Sequence, residues 1–234
     1  VLGIAGVVAV FLAMLSMARG LYETMKASGS RDNALVLRGG AVSEIQSVVR
    51  LDQVRVIGDT AGIARDAQGI PIISPEVVVN ATLPKADSGD ETACLIRGVS
   101  PRALYVRDTI KVVQGRFISP GVAEVIVGKN AAELYNAPVG KAVFFAEQSW
   151  TVAGIFDAGG STFDSEIWCD ATLLNQAYKR PVDIFQSVTV RLSSPAAFST
   201  VKSTLTTDPR LTVDVEREIT YYENQSKPIT TFIR

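Results

Sequence analysis

The 234-residue sequence predicts an α+β fold behind an apolar helix, and three observations predict it. Val1 to Ala18 (VLGIAGVVAVFLAMLSMA) carries no charge and is followed by Arg19 and a polar remainder. Beyond it, two stretches alternate strand-like and helix-like periodicity. Between them lies a block of short strands punctuated by glycine.

The opening run reads as the end of a membrane span. Eighteen residues of helix cover roughly 27 Å, close to the roughly 30 Å hydrocarbon core of a bilayer. Two other readings compete. One is the apolar core of a secretory signal, with Ser16-Met17-Ala18 as a small-x-small cleavage site, although no basic region precedes it. The other is a buried helix of a soluble core, which ordinarily shows a polar face that this run lacks.

The first strand-helix-strand unit begins with the apolar run Ala34 to Leu37, broken by Gly39-Gly40. A helix follows around Gln53 to Ile57, with Asp52 as its cap and Gly58 at its end. The unit closes on Glu76 to Leu83, where Val77, Val79, Ala81 and Leu83 fall on one face. The block from Phe117 to Asp170 comes next. It comprises a strand at Ala123 to Val127, a helix near Ala131 to Tyr135, and a hairpin of Ala142–Ala146 and Ser149–Phe156 turning at Glu147-Gln148. Gly159-Gly160 then leads to a strand over Ser165 to Cys169, and Asp170 caps a helix carrying Leu173, Leu174 and Ala177 that ends at Lys179-Arg180-Pro181.

In the second unit, Val188, Val190 and Leu192 alternate with polar residues, as in a half-buried strand. Ser194 is placed to cap and Pro195 to open a helix whose inner face is Phe198, Val201 and Leu205. Leu211, Val213 and Val215 form the closing strand. The tail from Glu218 to Arg234, with Ile219, Tyr222, Ile229 and Phe232, returns to helix, which Pro228 should kink or restart.

Composition narrows the chemistry. Hydrophobic residues at 47% and charged residues at 20% fit a folded chain with room for one large or two small cores. The 23 basic and 24 acidic residues balance to a net charge of −1, with no basic run beyond Lys179-Arg180, so nucleic acid is not an expected partner. The absence of histidine removes the commonest general base and the commonest zinc ligand. Cys94 and Cys169 are too few and too far apart for a zinc or CxxC site, leaving a disulfide or two buried thiols.

Several residue groups invite a functional reading. Gly159, Gly160 and Ser161 ahead of Phe163 and Asp164 could cradle an anion in a backbone nest, but a structural loop in which Asp164 bonds its own backbone is preferred. Asp87, Asp90 and Glu91 are read as a solvated turn rather than a calcium site, lacking EF-hand spacing. Asp164 and Glu166 would share a strand face, with nothing apolar nearby to raise a pKa, so acid–base catalysis is not expected of them. Ser43, Glu44, Ile45, Val48 and Val49 form an amphipathic surface segment, either a partner or substrate contact or a flap over the core. If it is a contact, aspartates at Val48 and Val49 should weaken function without unfolding the chain.

The chain resembles the periplasmic core domain of MacB/FtsX-type ABC transporter permeases, including LolC/LolE-like lipoprotein exporters. The resemblance rests on the opening span together with Leu35–Gly40 (LVLRGG), Leu95–Leu104 (LIRGVSPRAL), Val112–Phe117 (VVQGRF), Ala123–Phe145, Trp150–Phe156 (WTVAGIF) and Gly159–Trp168 (GGSTFDSEIW). It implies a porter-like subdomain at 29–116 and 171–217, an inserted Sabre-like β-rich subdomain at 117–170, a first transmembrane helix ending in 1–28 and a lead-in to a second at 218–234. Gly159, Gly160, Phe163 and Asp164 correspond to a structural motif of the family. The resemblance further implies a non-catalytic permease subunit of the cytoplasmic (inner) membrane, with its main domain periplasmic. Its partners would be a cytoplasmic ABC ATPase, a second permease copy or paralogue, and a periplasmic adaptor. No cofactor belongs to this chain; ATP and magnesium would sit on the ATPase. Indeed Gly128-Lys129 and Gly140-Lys141 are followed by Asn130 and Ala142, without the hydroxyl of a phosphate-binding loop. No residue selects among lipoprotein release, efflux and regulation of cell-wall enzymes. The alternative reading is an extracytoplasmic binding or scaffold domain anchored by a single span.

Overall fold

The computed structural model describes residues 2–231. Helix α1 (Leu2–Ala27) is long because its apolar run contains no proline. Its large side chains from Ile4 to Met17 are exposed on all sides, and burial begins at Ala18. It is long and apolar enough to cross a membrane by length and composition. Val1 and the expected contribution of Phe232 to the tail lie outside the described residues.

Strand β1 (Asn33–Arg38) is followed by a 3-10 turn at Glu44–Gln46, β2 (Val49–Arg50) and α2 (Leu51–Asp59). The α2 cap differs from expectation. Arg50 holds the N-cap position, and Gln53 reaches back to accept its N–H at 3.0 Å. Asp52 lies inside the first turn, where a carboxylate suits the positive helix end. Gly58 also lies inside the helix, which ends at Asp59.

Strand β3 (Ile73–Pro84) runs through an exposed turn into β4 (Glu91–Val99). The next elements are α3 (Ala103–Val106), β5 (Lys111–Gly115), β6 (Glu124–Gly128) and α4 (Lys129–Leu134). The hairpin β7 (Ala142–Phe145) and β8 (Gln148–Asp157) turns one residue earlier than expected. Phe145 pairs with Gln148, and Ala146 and Glu147 hold φ of 51° and 57°. This is the left-handed turn that matches sheet twist, made here without glycine. Glu147→Gly should therefore raise stability in a urea melt by up to about 1 kcal/mol, since a left-handed L-residue costs about 1–2 kcal/mol.

A 3-10 turn at Thr162–Ser165 takes the place of the start expected for the next strand, β9 (Ile167–Asp170). Asp170 does cap α5 (Ala171–Ala177), accepting from the N–H groups of Thr172 and Leu173. After β10 (Ile184–Phe185) and β11 (Ser187–Arg191), Ser194 precedes a 3-10 turn at Pro195–Ala197 but makes no capping bond. Helix α6 (Phe198–Thr207), β12 (Val213–Arg217) and α7 (Glu218–Thr231) complete the chain, the last running through Pro228.

Among the described residues one ten-stranded sheet runs β12-β1-β11-β3-β4-β9-β6-β8-β5, with β7 beside β8. The two strand-helix-strand units interleave. β11 lies between β1 and β3, while β1 lies between β11 and β12, all antiparallel. Each unit is thus a split βαβ, and neither closes a sheet without the other. Strand β3 changes partner midway: Ile73–Glu76 pair with β11 and Val77–Pro84 with β4, so the pairing of the first part of the sheet passes directly into the rest.

The sheet separates two apolar layers. Val77, Val79, Ala81 and Leu83 of β3 pack on one side with Ile57 of α2, Leu174 of α5 and Val201 and Leu205 of α6. On the other side Leu35, Leu37, Ile126 and Trp168 meet Phe163, Tyr221 and Tyr222. Full burial of such side chains contributes about 1.5–3 kcal/mol each. Cys94 and Cys169 are free thiols, both buried.

Candidate functional site

The second face of the sheet holds a buried charge network where β3 changes partner. Because Val77 and Val79 face the first layer, the pleat turns Glu76 to the opposite side; Ile96 does the same for Arg97. Arg97 contacts Glu166 (2.8 Å), Glu44 (2.8 Å) and Glu76 (3.0 Å). Arg107, just after α3, pairs with Glu76 and, at 2.9 Å, with Glu218, the first residue of α7. All six side chains are buried.

Neutral groups complete the network. Trp168 Nε1 donates to Glu166 at 2.7 Å, Ser187 Oγ to Glu44 at 2.7 Å, Asn33 Nδ2 to Glu218 at 2.9 Å and Arg107 Nη2 to Thr189 at 3.0 Å. This corrects the expectation that β11 is half-buried: its polar residues Ser187 and Thr189 point inward because the network needs them. The Arg107 guanidinium also lies 4.9 Å from the centre of the Phe163 ring, which makes T-shaped contacts with Trp168 and Tyr222.

Two flanking segments are tied to the same place. The Ser30 N–H donates to Glu218 at 3.1 Å, and Ser28 Oγ accepts from the Thr162 N–H at 2.9 Å. On α7, the Tyr221 hydroxyl accepts from the Glu44 N–H at 3.0 Å. The lead-out of α1, the start of α7 and both parts of the sheet therefore share one polar core. With every carboxylate engaged by a guanidinium, the arrangement offers a rigid joint rather than a free base or nucleophile.

Burial pushes the Glu76 carboxyl up, but Arg107 and Arg97 outweigh it and hold the group below its ordinary 4.5. Its stabilising contribution is complete above that value and is lost as pH falls through the lower folded pKa. Glu218 behaves oppositely: burial holds it above 4.5, so its contribution declines as pH rises past that point. Elsewhere, hydrogen bonds from Arg116 and Arg210 hold Glu124 and Asp208 at about 2. Below pH 4.5 the lowered groups dominate, and the melting temperature should drop steadily as pH is taken from about 5 to about 2. A flat or rising acid limb in a circular-dichroism melt would contradict this.

The structure divides the Ser43–Val49 segment. Ile45 and Val48 are exposed, but Glu44 is buried against Arg97 and Val49 packs in the first apolar layer. The double aspartate replacement would therefore bury a carboxylate at Val49 and disturb folding itself. Gly159 and Gly160 take φ of 66° and 82°. The nest they form is filled by Asp164, whose carboxylate accepts from the N–H groups of Ala158 (2.6 Å) and Gly160 (2.8 Å). Asp164 and Glu166 do not share a strand face, because Asp164 belongs to the Thr162–Ser165 turn and Glu166 is held by Arg97 and Trp168 in aromatic surroundings. Asp87, Asp90 and Glu91 lie exposed at the β3–β4 turn.

Sequence reading missed Glu76, Arg97, Arg107 and Glu218. Their signal was available: a lone charge inside an apolar strand run, as in PEVVV and LIRGV, requires a buried partner.

A split-βαβ sheet extended by further strands, with two flanking segments meeting at a buried joint, defines an α+β domain mounted on helices. A family model described as MacB-like periplasmic core domain matches residues 1–208, and the chain belongs to this family, a domain of MacB-like ABC transporter permeases. The fold is similar to the crystal structure of the periplasmic region of MacB from Actinobacillus actinomycetemcomitans, with TM-score 0.60 and 14% identity over 91% of this chain and 97% of that one. It is also similar to the extracellular domain of the noncanonic ABC-type transporter YknZ from Gram-positive bacteria, with TM-score 0.58 and 14% identity over 79% and 99%. A domain of a putative permease protein from Porphyromonas gingivalis aligns with TM-score 0.50 and 10% identity over 81% and 92%. No curated protein matches by sequence.

Proposed function

We propose that this domain converts movement of membrane helices into movement outside the membrane, as part of a non-enzymatic permease subunit whose ATP hydrolysis occurs on a cytoplasmic ABC ATPase. Family membership supports the class of protein. The observation that carries the mechanical reading is Glu218, the first residue of α7, buried against Arg107 and bonded to the backbone just after α1. A shift of either helix must move this joint, and through Glu76 and Arg97 it reaches both parts of the sheet. A packed joint of this kind is displaced as a unit rather than deformed gradually.

In this reading α1 lies in the cytoplasmic membrane. Its 26 residues extend about 39 Å, enough to cross about 30 Å of hydrocarbon and leave its last turns beside α7. The porter-like parts at 29–116 and 171–217 and the Sabre-like insert at 117–170 face the periplasm, and α7 leads toward a second span. A second permease copy or paralogue completes the transporter. A periplasmic adaptor would find Ile45 and Val48 accessible.

The test is to express the full-length parent with its neighbouring ATPase. Co-purification as a membrane complex whose ATPase activity requires both subunits is the expected result. A single-span chain that purifies alone, with no ATPase dependence, would overturn this reading in favour of an anchored binding domain.

A further inference from the structure

Residues 41–48, which lead from β1 to β2, are held from two directions. One set of ties goes to the sheet. The Glu44 carboxylate accepts from Arg97 at 2.8 Å and from Ser187 Oγ at 2.7 Å, Ser47 Oγ accepts from the Arg38 N–H at 2.8 Å, and Gln186 Nε2 donates to the Ile45 carbonyl at 3.2 Å. The other set goes to α7. The Tyr221 hydroxyl accepts from the Glu44 N–H at 3.0 Å, and Gln225 Nε2 donates to the Val42 carbonyl at 2.9 Å. Glu44 is where the two sets meet, its side chain belonging to the sheet and its N–H to the helix.

The bridge to α7 is bordered by open space. A cleft of about 460 Å³ adjoins it beside Leu37, Ala41 and Val42, another of about 400 Å³ adjoins it beside Ser43, Ile45 and Tyr222, and Tyr221 and Gln225 line both. Close-packed side chains resist displacement, whereas a bridge between clefts can lengthen or break without pushing its neighbours aside. Tyr221 and Gln225 also lie within two helical turns of Ile219, where α7 passes closest to Gly29, so a shift at that crossing carries both of them. On its outer side the segment presents Val42, Ile45 and Val48, all exposed. Val42 is tied to the helix, but Ile45 and the Ser47 beside Val48 are tied to the sheet.

We propose that residues 41–48 form a strap latched by α7: displacement of the helix breaks the Tyr221 and Gln225 bonds, frees the backbone of 41–44, and moves Val42 relative to Ile45 and Val48, which stay with the sheet. The apolar surface made by these three side chains is thereby set by the position of α7. This deepens the mechanical role and rests on it for the force that displaces α7 in the working transporter, while the latch itself is a property of the chain.

The experiment is amide hydrogen exchange of the full chain in detergent micelles, read by mass spectrometry over residues 41–44 and over β4 as the reference. Tyr221→Phe and Gln225→Ala each remove one latch bond, and each should speed exchange over 41–44 about fivefold, the scale of one net hydrogen bond, with β4 unchanged. Gly29→Ala keeps both latch side chains but sets a Cβ against the backbone of Ile219. It should speed exchange over 41–44 beyond any change in β4, while Gly20→Ala, with open space at its Cβ position, should not. Unchanged exchange over 41–44 in both latch variants, equal acceleration in β4, or acceleration in the latch variants with none in Gly29→Ala overturns the proposal. No ATPase takes part in this measurement. The latch can therefore fail while co-purification and coupled hydrolysis succeed, and a latch that opens as expected stands even where the parent purifies without an ATPase.

Discussion

Replacing Arg97 with Met is expected to destabilise the chain by about 3–5 kcal/mol, which in a domain of this size lowers the melting temperature by roughly 6–20 °C. The loss of three ion pairs is only part of the cost. Glu44 and Glu166 would remain buried with no guanidinium opposite them, and Glu76 would keep only Arg107. An uncompensated buried charge is more damaging than the absence of the whole pair. For the same reason, adding Glu166→Leu to Arg97→Met should recover part of the loss. Thermal melts of the single and double variants measure both effects, and a single variant within about 2 °C of the parent would show that the network contributes no net stability.

Gly29→Ala should disturb the junction between the two flanking helices. A Cβ at Gly29 would lie 2.2 Å from the Ile219 Cα and 2.5 Å from its backbone nitrogen. Neither atom can move by changing a rotamer, so α1 and α7 must separate at a cost of about 1–3 kcal/mol or more. Gly20 is the natural control. It lies in α1 with nothing within 4 Å of its Cβ position, and alanine there should add about 0.5–1 kcal/mol of helix stability. On the proposed mechanical role, Gly29→Ala in the full-length protein should uncouple ATP hydrolysis from transport while Gly20→Ala leaves them coupled. Identical behaviour of the two variants would rule out a tight crossing at Gly29.

Much of the local structure was legible. Ala34 to Leu37, the alternating Val77 to Leu83, the Val201 and Leu205 face of α6 and the Asp170 cap all occur where their patterns place them. Each is set by neighbours within a few residues, through pleat, helical pitch or a side chain reaching the next amide. The misplacements occurred where two local solutions are nearly equal. Either end of the Ala146-Glu147-Gln148 triplet could have made the turn, and either Arg50 or Asp52 could have preceded α2.

The candidate site was much less legible. Glu44 was read as part of a surface segment and Glu166 as sharing a strand face with Asp164, with nothing apolar nearby, because a charged side chain belongs in water unless a partner is known. Their partner Arg97 is distant in sequence; Glu166 reaches it because β4 pairs with β9, and Glu44 because its 3-10 turn packs against β3, the other neighbour of β4.

The sequence alone thus determined the apolar lead helix, the alternation of strands and helices, the absence of histidine chemistry and a resemblance spread over many short motifs. These depend on composition and on periodicities of two and 3.6 residues, which are properties of the chain itself. Tertiary structure alone decided that the two units interleave, that β3 serves both parts of the sheet, and that Glu76, Arg97, Arg107 and Glu218 meet at one joint. The physical reason is desolvation. Folding takes each of these charges out of water, and only the long-range arrangement that brings the others beside it makes that burial tolerable.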